Sequence, residues 1–289
     1  MKFCTYNIQY GKGKDGHYDL ERIAGEVAGA DVIALQEVER HWTRSGNVDQ
    51  AAELARLLDG YYWVYGGGVD IDGSYRDADG RLRNRRRQFG NMLLARLPIV
   101  MSRHHLLPKY ASYGPLSIQR SALEGLLYTR ERSLRIYSIH LTHLSAQTRL
   151  PQVEKLWEIH RQAPIEGAAV TGEAMPEWSQ DPWPAPELPY QAILMGDFNF
   201  GPDSQEYRRM VGPLSDYGGQ LTNPEGFVDA WVQSGHAESD GVTSDLLGEP
   251  VRLDYFFVSS RLRERIREVR IDSAAQGSDH QPVWMDIDL

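Results

Sequence analysis

Ile193-Leu194-Met195-Gly196-Asp197-Phe198-Asn199 is the stretch on which the reading of this chain turns. An apolar run with one glycine leads into two polar residues separated by an aromatic. In a strand, residues two apart share a face. Asp197 and Asn199 therefore leave the strand end side by side, and Phe198 turns the other way into a core. A carboxylate can bind a metal or take a proton. A neutral amide can hold a water or a phosphate oxygen. Gly196 lets the backbone come close to whatever is bound. Alone, an apolar strand ending in Asp-x-Asn is a common way to start a turn. It gains weight because similar strand ends occur on both sides of it.

Toward the N-terminus, Lys2 to Ile8 reads as a strand ending near Asn7, and Asp31 to Val38 as a short buried strand whose end carries Glu37. Between them, Leu20, Ile23, Ala24, Val27 and Ala28 fall at helical spacing behind Asp19 as N-cap. A second helix is expected over roughly 48–58. Phe89 to Arg96 and Ile99 to Leu107 read as paired strands. Arg120 to Thr129 and Leu134 to Thr142 read as a hairpin, with His140 near its end. Gln147 to His160 is amphipathic and helical. Toward the C-terminus, Ser204 caps a short helix, Arg252 to Val258 is a strand carrying Asp254, and Ser278-Asp279-His280-Gln281-Pro282 precedes a terminal strand. Strands do not strictly alternate with helices, which argues against a doubly wound sheet or a (β/α)8 barrel. Two mostly antiparallel sheets packed face to face, with helices outside, fit the pattern. The expectation is one α+β domain over 1–289, with loop excursions at about 66–88 and 164–189.

The first excursion carries Asp70, Asp72, Asp77 and Asp79, then Arg81, Arg83, Arg85, Arg86 and Arg87. It lacks the spacing and closing Glu of an EF-hand. Its arginines read either as a solvated hairpin tip or as a phosphate-facing loop. The second holds Trp178 and Trp183, which either pack the loop or stack on a ligand.

The 289 residues are 41% hydrophobic and 25% charged, with a net charge of −9. That balance argues against a broad basic surface for nonspecific duplex binding. A single cysteine, Cys4, excludes a disulfide framework and a thiolate metal cage. No apolar run reaches the ~18 residues of a membrane span, and no leader pattern opens the chain. A cytoplasmic protein without stable membrane insertion is the default expectation, and no obligate protein partner is evident.

The polar residues stranded near strand ends are Asn7, Glu37, His140, Asp197, Asn199, Asp254, Asp279 and His280. Oxygen donors dominate, which suits Mg²⁺ or Mn²⁺ and not structural zinc. A cation flanked by Asp and His is equipment for attack on a phosphate ester. His143 and His160 read instead as surface or helix-face residues.

The series Thr5-Tyr6-Asn7, Leu35-Gln36-Glu37-Val38, Ile139-His140-Leu141, Gly196-Asp197-Phe198-Asn199, Leu253-Asp254-Tyr255 and Ser278-Asp279-His280-Gln281-Pro282-Val283 resembles the endonuclease/exonuclease/phosphatase superfamily. Each piece is weak alone, but six in order span residues 5 to 283. The resemblance implies a four-layer α/β/β/α sandwich, deoxyribonuclease I-like, with its site at one end of the sheets. It implies Glu37 as principal metal carboxylate, with Asn7 beside it and Asp279 as a further ligand. Asp197 matches the residue that orients or activates water, and Asn199 the one that holds water or phosphate. His280 matches the histidine on the scissile phosphate, with Asp254 orienting it. His140 matches a second histidine, found in branches other than the exonuclease III-like enzymes. Phe89-Gly90-Asn91 resembles an aromatic-Gly-Asn strand, which makes Asn91 a lesser substrate-binding candidate, and Arg120 is a candidate phosphate contact. Gln9 stands where some branches carry a further metal-side residue. The expected activity is metal-dependent hydrolysis of phosphate esters, with a phosphodiester preferred. The substrate is small, lipid-linked or nucleic acid. The alternatives are a nuclease on DNA or RNA, and a binding protein that keeps the fold without catalysis.

Overall fold

The structure, a computed structural model, describes residues 1–128, 133–172 and 188–289. The expected joint around Arg130 and both Trp178 and Trp183 lie outside these residues, as does most of the 164–189 excursion.

In chain order the strands are β1 (Lys2–Asn7), β2 (Val32–Arg40), β3 (Tyr62–Asp72), β4 (Tyr75–Arg76), β5 (Leu82–Arg83), β6 (Arg86–Ala95), β7 (Ile99–Leu106) and β8 (Ser121–Tyr128). They continue with β9 (Ser133–His140), β10 (Ala192–Asp197), β11 (Phe227–Asp229), β12 (Ser244–Leu246), β13 (Glu249–Val251), β14 (Asp254–Ser259), β15 (Ile266–Ile271) and β16 (Val283–Ile287). The helices are α1 (Leu20–Val27), α2 (Gln50–Leu57), α3 (Ala146–Glu166), α4 (Gln205–Val211) and the single turn α5 (Ala230–Gln233). Asp19, Asp49 and Ser204 cap α1, α2 and α4 by accepting from backbone N–H groups of the first turn.

Two six-stranded sheets form the body. One runs β15-β16-β1-β2-β6-β3 and the other β11-β14-β10-β9-β8-β7. In each, one central pair is parallel, β1 with β2 and β9 with β10, and the other neighbours are antiparallel. Strand alternation separates the layers. Phe3, Val32, Ala34, Leu93, Leu123, Ile136, Ile193, Met195 and Phe256 fill the space between the sheets. Cys4, Tyr6, Ile33 and Leu35 face the other way, under Ile23, Val27 and Leu54 of α1 and α2. Tyr137, Ile139 and Leu194 lie under Val153, Leu156, Trp157 and Tyr207 of α3 and α4. The result is the expected four-layer sandwich. Among the described residues no helix is long and apolar enough to cross a membrane.

Residues 66–88 are more regular than expected. β3 continues to Asp72 and pairs with β6, so the excursion is the outer part of a long hairpin, tipped by the β4–β5 ribbon. Consecutive glycines hid the strand from the sequence reading. At Gly90 a Cβ would lie 1.9 Å from the Gly66 carbonyl oxygen, so close pairing of the two strands requires glycine there. Two of the arginines are neutralised, Arg83 by Asp77 and Arg86 by Asp70, each at 2.7 Å.

The inter-sheet layer changes character along its length. On β1 it passes from Phe3 to Thr5 to Asn7, on β9 from Ile136 to Ser138 to His140, on β10 from Ile193 to Met195 to Asp197. Between apolar core and polar end lies a hydrogen-bonded tier. Gln36 Nε2 donates to Ser138 Oγ at 2.9 Å, and Asn91 Nδ2 donates to the carbonyls of Ser121 and Ser138 at 2.9 and 3.0 Å. These bonds cross from one sheet to the other and form the floor beneath the candidate site.

Candidate active site

Register places three polar residues in a row across the second sheet. Asp197 is opposite His140 on one side and opposite Asp254 on the other. All three are buried. The first sheet brings Asn7, whose Nδ2 crosses the layer to Asp197 Oδ2 at 3.0 Å and approaches Glu37 Oε1 at 3.4 Å.

Glu37 reaches the cleft through a defect. Strict alternation would put it on the helix-facing side with Ile33 and Leu35. The β2–β6 register shifts between Leu35 and Val38, and Glu37 takes φ +60°. Val38 then occupies the outer core place, and the bulge aims Glu37 at the site. Asn199 is also left-handed, at φ +54°. Its Nδ2 donates to Asp197 Oδ2 and to the Leu141 carbonyl, both at 3.1 Å, so it steadies Asp197. Gly196 serves packing and not the close approach to a ligand expected of it. A Cβ there would meet the Ile139 carbonyl oxygen at 1.9 Å.

His280 enters from the loop before β16. Its Nδ1 lies 2.8 Å from Asp254 Oδ2, and its Nε2 lies 3.8 Å from Asp197 Oδ2. Ser278 holds the loop by donating to the Asn7 carbonyl at 2.7 Å. Asp279 accepts from Gln9 Nε2 at 2.6 Å, and the Gln9 backbone N–H donates to Asn7 Oδ1 at 3.1 Å. Arg120, 5% exposed, sets Nη1 2.7 Å from His140 Nδ1 and Nη2 3.2 Å from His143 Nδ1. Among the described residues its Nε is buried without a partner.

The cluster therefore gathers Asn7, Glu37, Arg120, His140, Asp197, Asn199, Asp254, Asp279 and His280. Asn91 sits one tier below, its amide protons used by two carbonyls. His143 stands exposed at the edge, against Arg120, which the sequence reading missed. Ser278, Gln9 and Thr243 were not singled out as site residues either. Thr243 Oγ1 accepts the backbone N–H of Asp254 at 3.1 Å, and nothing local in the sequence signals that.

Burial opposes every charge here, and charged partners overcome it at His280 and Asp197 but not at His140 or Asp254. Burial would lower His280, but the Asp254 and Asp197 charges overcome it and push the imidazole up to about 10. Burial would raise Asp197, yet His280 and bonds from His140 and Asn7 hold it well below the usual carboxylate range. His140 falls to about 4, through burial and the neighbouring Arg120. Burial raises Asp254 despite the opposing His280 charge. Near neutrality the site thus holds a protonated His280, a neutral His140 and an ionised Asp197.

Asp197, Asp254 and His280 each offer a ligand atom, all within 4.8 Å of one another. His280 is committed to Asp254 as a protonated partner, which makes it a poor metal ligand. The other side suits a hard cation better. Burial pushes Glu37 up, and its nearest basic group, 3.9 Å away, is the neutral His140. Glu37 is half-buried, and a carboxylate in that state can be satisfied by a cation. Carboxylates of Glu37 and Asp279 and the Asn7 amide oxygen are donors of the right chemistry.

Two face-to-face sheets that carry such a polar cluster at one end define a deoxyribonuclease I-like architecture. The chain belongs to the endonuclease/exonuclease/phosphatase family, whose model matches residues 4–280. Members of that family are metal-dependent phosphoesterases, nucleases or phosphatases. Among solved structures, the chain is similar to a family protein from Leptotrichia buccalis C-1013-b, with 19% identity, a TM-score of 0.64 and all of both chains covered. It is similar to a family protein from Bacteroides vulgatus, with 16% identity, a TM-score of 0.67, and 100% of this chain and 98% of that one covered. A mannosyl-6-phosphatase from Bacteroides thetaiotaomicron VPI-5482 aligns over all of both chains with 16% identity and a TM-score of 0.62. At these identities the likeness shows the fold alone. No curated protein matches the sequence.

Proposed function

We propose that residues 1–289 form one catalytic domain that hydrolyses phosphate esters with Mg²⁺ or Mn²⁺, and diesters by preference. The observation that carries this reading is the meeting of Asp197, His280 and Asp254 with Asn7 and Glu37 across the two sheets. Glu37, Asn7 and Asp279 would hold the cation. When bound, it supplies charge to screen the nonbridging phosphate oxygens.

Asp197 is ionised and held by Asn7 and Asn199, so it can orient a water and accept its proton. His280, kept protonated by Asp254, can donate from Nε2 to the negative charge that builds on phosphorus-bound oxygen. Arg120 supplies fixed positive charge on the opposite side, against His140. Attack forms one P–O bond and breaks the ester P–O bond, and the leaving oxygen takes a proton from a histidine or from solvent. A cluster of this many buried charged and polar groups is costly to keep without use, which disfavours a non-catalytic binding protein.

The test is hydrolysis of bis-p-nitrophenyl phosphate and of p-nitrophenyl phosphate, with Mg²⁺, with Mn²⁺ and with EDTA. Faster diester turnover that EDTA abolishes supports the reading. Turnover indifferent to EDTA, or none with either metal, overturns it. A plasmid arm separates a nuclease from an enzyme for small diesters.

A further inference from the structure

One wall of the cleft is a row of stacked aromatic and cationic side chains that no step above uses. It starts at Phe89, whose ring centroid is 6.4 Å from that of His140. Arg87 lies two residues away on the same face of β6, with its guanidinium 5.7 Å from the Trp42 ring. Arg44 lies on the other side, 5.6 Å from Trp42 and 3.9 Å from the Tyr10 ring. Tyr10 directly follows Gln9, which holds Asp279. The row therefore begins and ends in the site.

It is also expensively built. Glu39 is wholly buried, and its carboxylate accepts from Arg44 Nε at 2.8 Å and Ser45 Oγ at 2.7 Å. Gln50, 2% exposed, donates to the Tyr10 carbonyl at 2.7 Å and accepts from the Glu39 N–H at 2.9 Å. Gln9, Tyr10 and His41 take left-handed φ values of 43°, 48° and 62°. Backbone strain of that kind collects at functional sites, where surrounding structure enforces it. The device fixes an arginine whose side chain stays about half exposed, and Arg44 Nη1 is bonded to nothing among the described residues. Arg87 has no acidic partner among the described residues, unlike its neighbours Arg83 and Arg86. Two cations against one acid leave the row net positive.

We infer that Arg44 and Arg87, flanking Trp42, form a subsite for a second phosphate of the substrate. This rests on the hydrolase reading and narrows it to esters that carry another phosphate near the scissile one. Rigid guanidinium groups suit a phosphate, and the aromatic faces between them suit the body that joins the two phosphates.

The test uses the whole protein and two chromogenic esters with one leaving group, thymidine 5′-(p-nitrophenyl phosphate) and its 3′-phosphorylated form. The 3′-phosphate raises kcat/KM about tenfold or more, and Arg44→Gln or Arg87→Gln lowers that ratio several-fold. Arg44→Gln leaves Glu39 without its cation, so Arg87→Gln, which orphans no acid, guards against misfolding. A second readout needs no turnover: equilibrium titration in EDTA of thymidine 3′,5′-bisphosphate against thymidine 5′-monophosphate. Tighter bisphosphate binding that both variants erase supports the subsite. Equal affinities, or an advantage that survives both variants, overturns it. Absence of hydrolysis with the affinity difference intact would remove the hydrolase reading and leave the subsite standing. Competition by fructose 1,6-bisphosphate against thymidine 3′,5′-bisphosphate distinguishes a sugar from a nucleotide source, and stronger inhibition by either than by its monophosphate supports the subsite.

Discussion

His280 Nδ1 and Asp254 Oδ2 stand 2.8 Å apart inside the protein, and this pair sets the protonation of the site. With its folded value near 10 and its ordinary value at 6.5, His280 binds its proton more tightly in the folded chain. That contribution to stability is complete below the ordinary value and is lost as pH rises to about 10. In the EDTA-treated protein, Asp254→Asn should bring the His280 titration down, measured by histidine NMR. It should also flatten the loss of stability between pH 7 and 10. An unchanged His280 titration would deny Asp254 its role.

On the proposed reading, Asp197 serves the attacking water and His280 the charge on phosphorus-bound oxygen, so one displacement needs both. Asp197→Asn and His280→Ala should each lower turnover of bis-p-nitrophenyl phosphate at least ~100-fold, as expected for loss of a general base or a charge stabiliser. Circular dichroism on the same samples separates this from unfolding. Near-normal turnover in both variants would remove the assignment.

Glu37 should act through the cation. Glu37→Gln should raise the Mg²⁺ or Mn²⁺ concentration for half-maximal activity by about tenfold or more, the upper part of what a lost ligand or its support costs. A metal titration that superimposes on that of the unaltered protein would contradict this.

Asn91 should behave differently from the residues above it. Its amide joins β6 to the carbonyls of Ser121 and Ser138 on the opposite sheet. Asn91→Leu removes both bonds, at a cost of about 0.5–1.5 kcal/mol each. Urea denaturation should show the loss, with kcat/KM in folded protein reduced less than tenfold. A large loss of kcat/KM at full stability would make Asn91 a substrate contact instead.

His140 and His160 should make the fold acid-sensitive. Both are pushed down by burial and a neighbouring arginine, to about 4 and about 3. The unfolded chain then binds more protons below the ordinary value of 6.5, so stability falls as pH drops from there toward 4. His160→Gln should shallow that fall, measured by denaturant midpoints at pH 4.5 and 7. Equal slopes in both proteins would contradict it.

The layering was legible because strand alternation is a local signal. Phe3, Thr5 and Asn7 share a face wherever that strand lies, and so do Ile193, Met195 and Asp197. The ordered strand-end motifs made the resemblance readable, and with it the four layers. Other features depend on contacts remote in sequence. The bulge that turns Glu37 exists because β2 must pair with β6. Thr243 meets Asp254 only after the loop between them folds back. Consecutive glycines disguised β3, since a strand without side chains has no alternation to read. His160 lies on the buried face of α3 against Arg135, a contact between helix and sheet that helical spacing alone does not report.

The central claim is that Glu37, Asn7 and Asp279, on the first sheet and the loop before β16, hold one divalent cation facing Asp197 of the second sheet. Anomalous diffraction from a crystal soaked in Mn²⁺ tests it most directly. The account predicts a peak in the cleft bounded by Glu37, Asn7 and Asp279, within reach of a phosphate held at Asp197 and His280. A Mn²⁺-dependent enzyme whose peak lies elsewhere would contradict it.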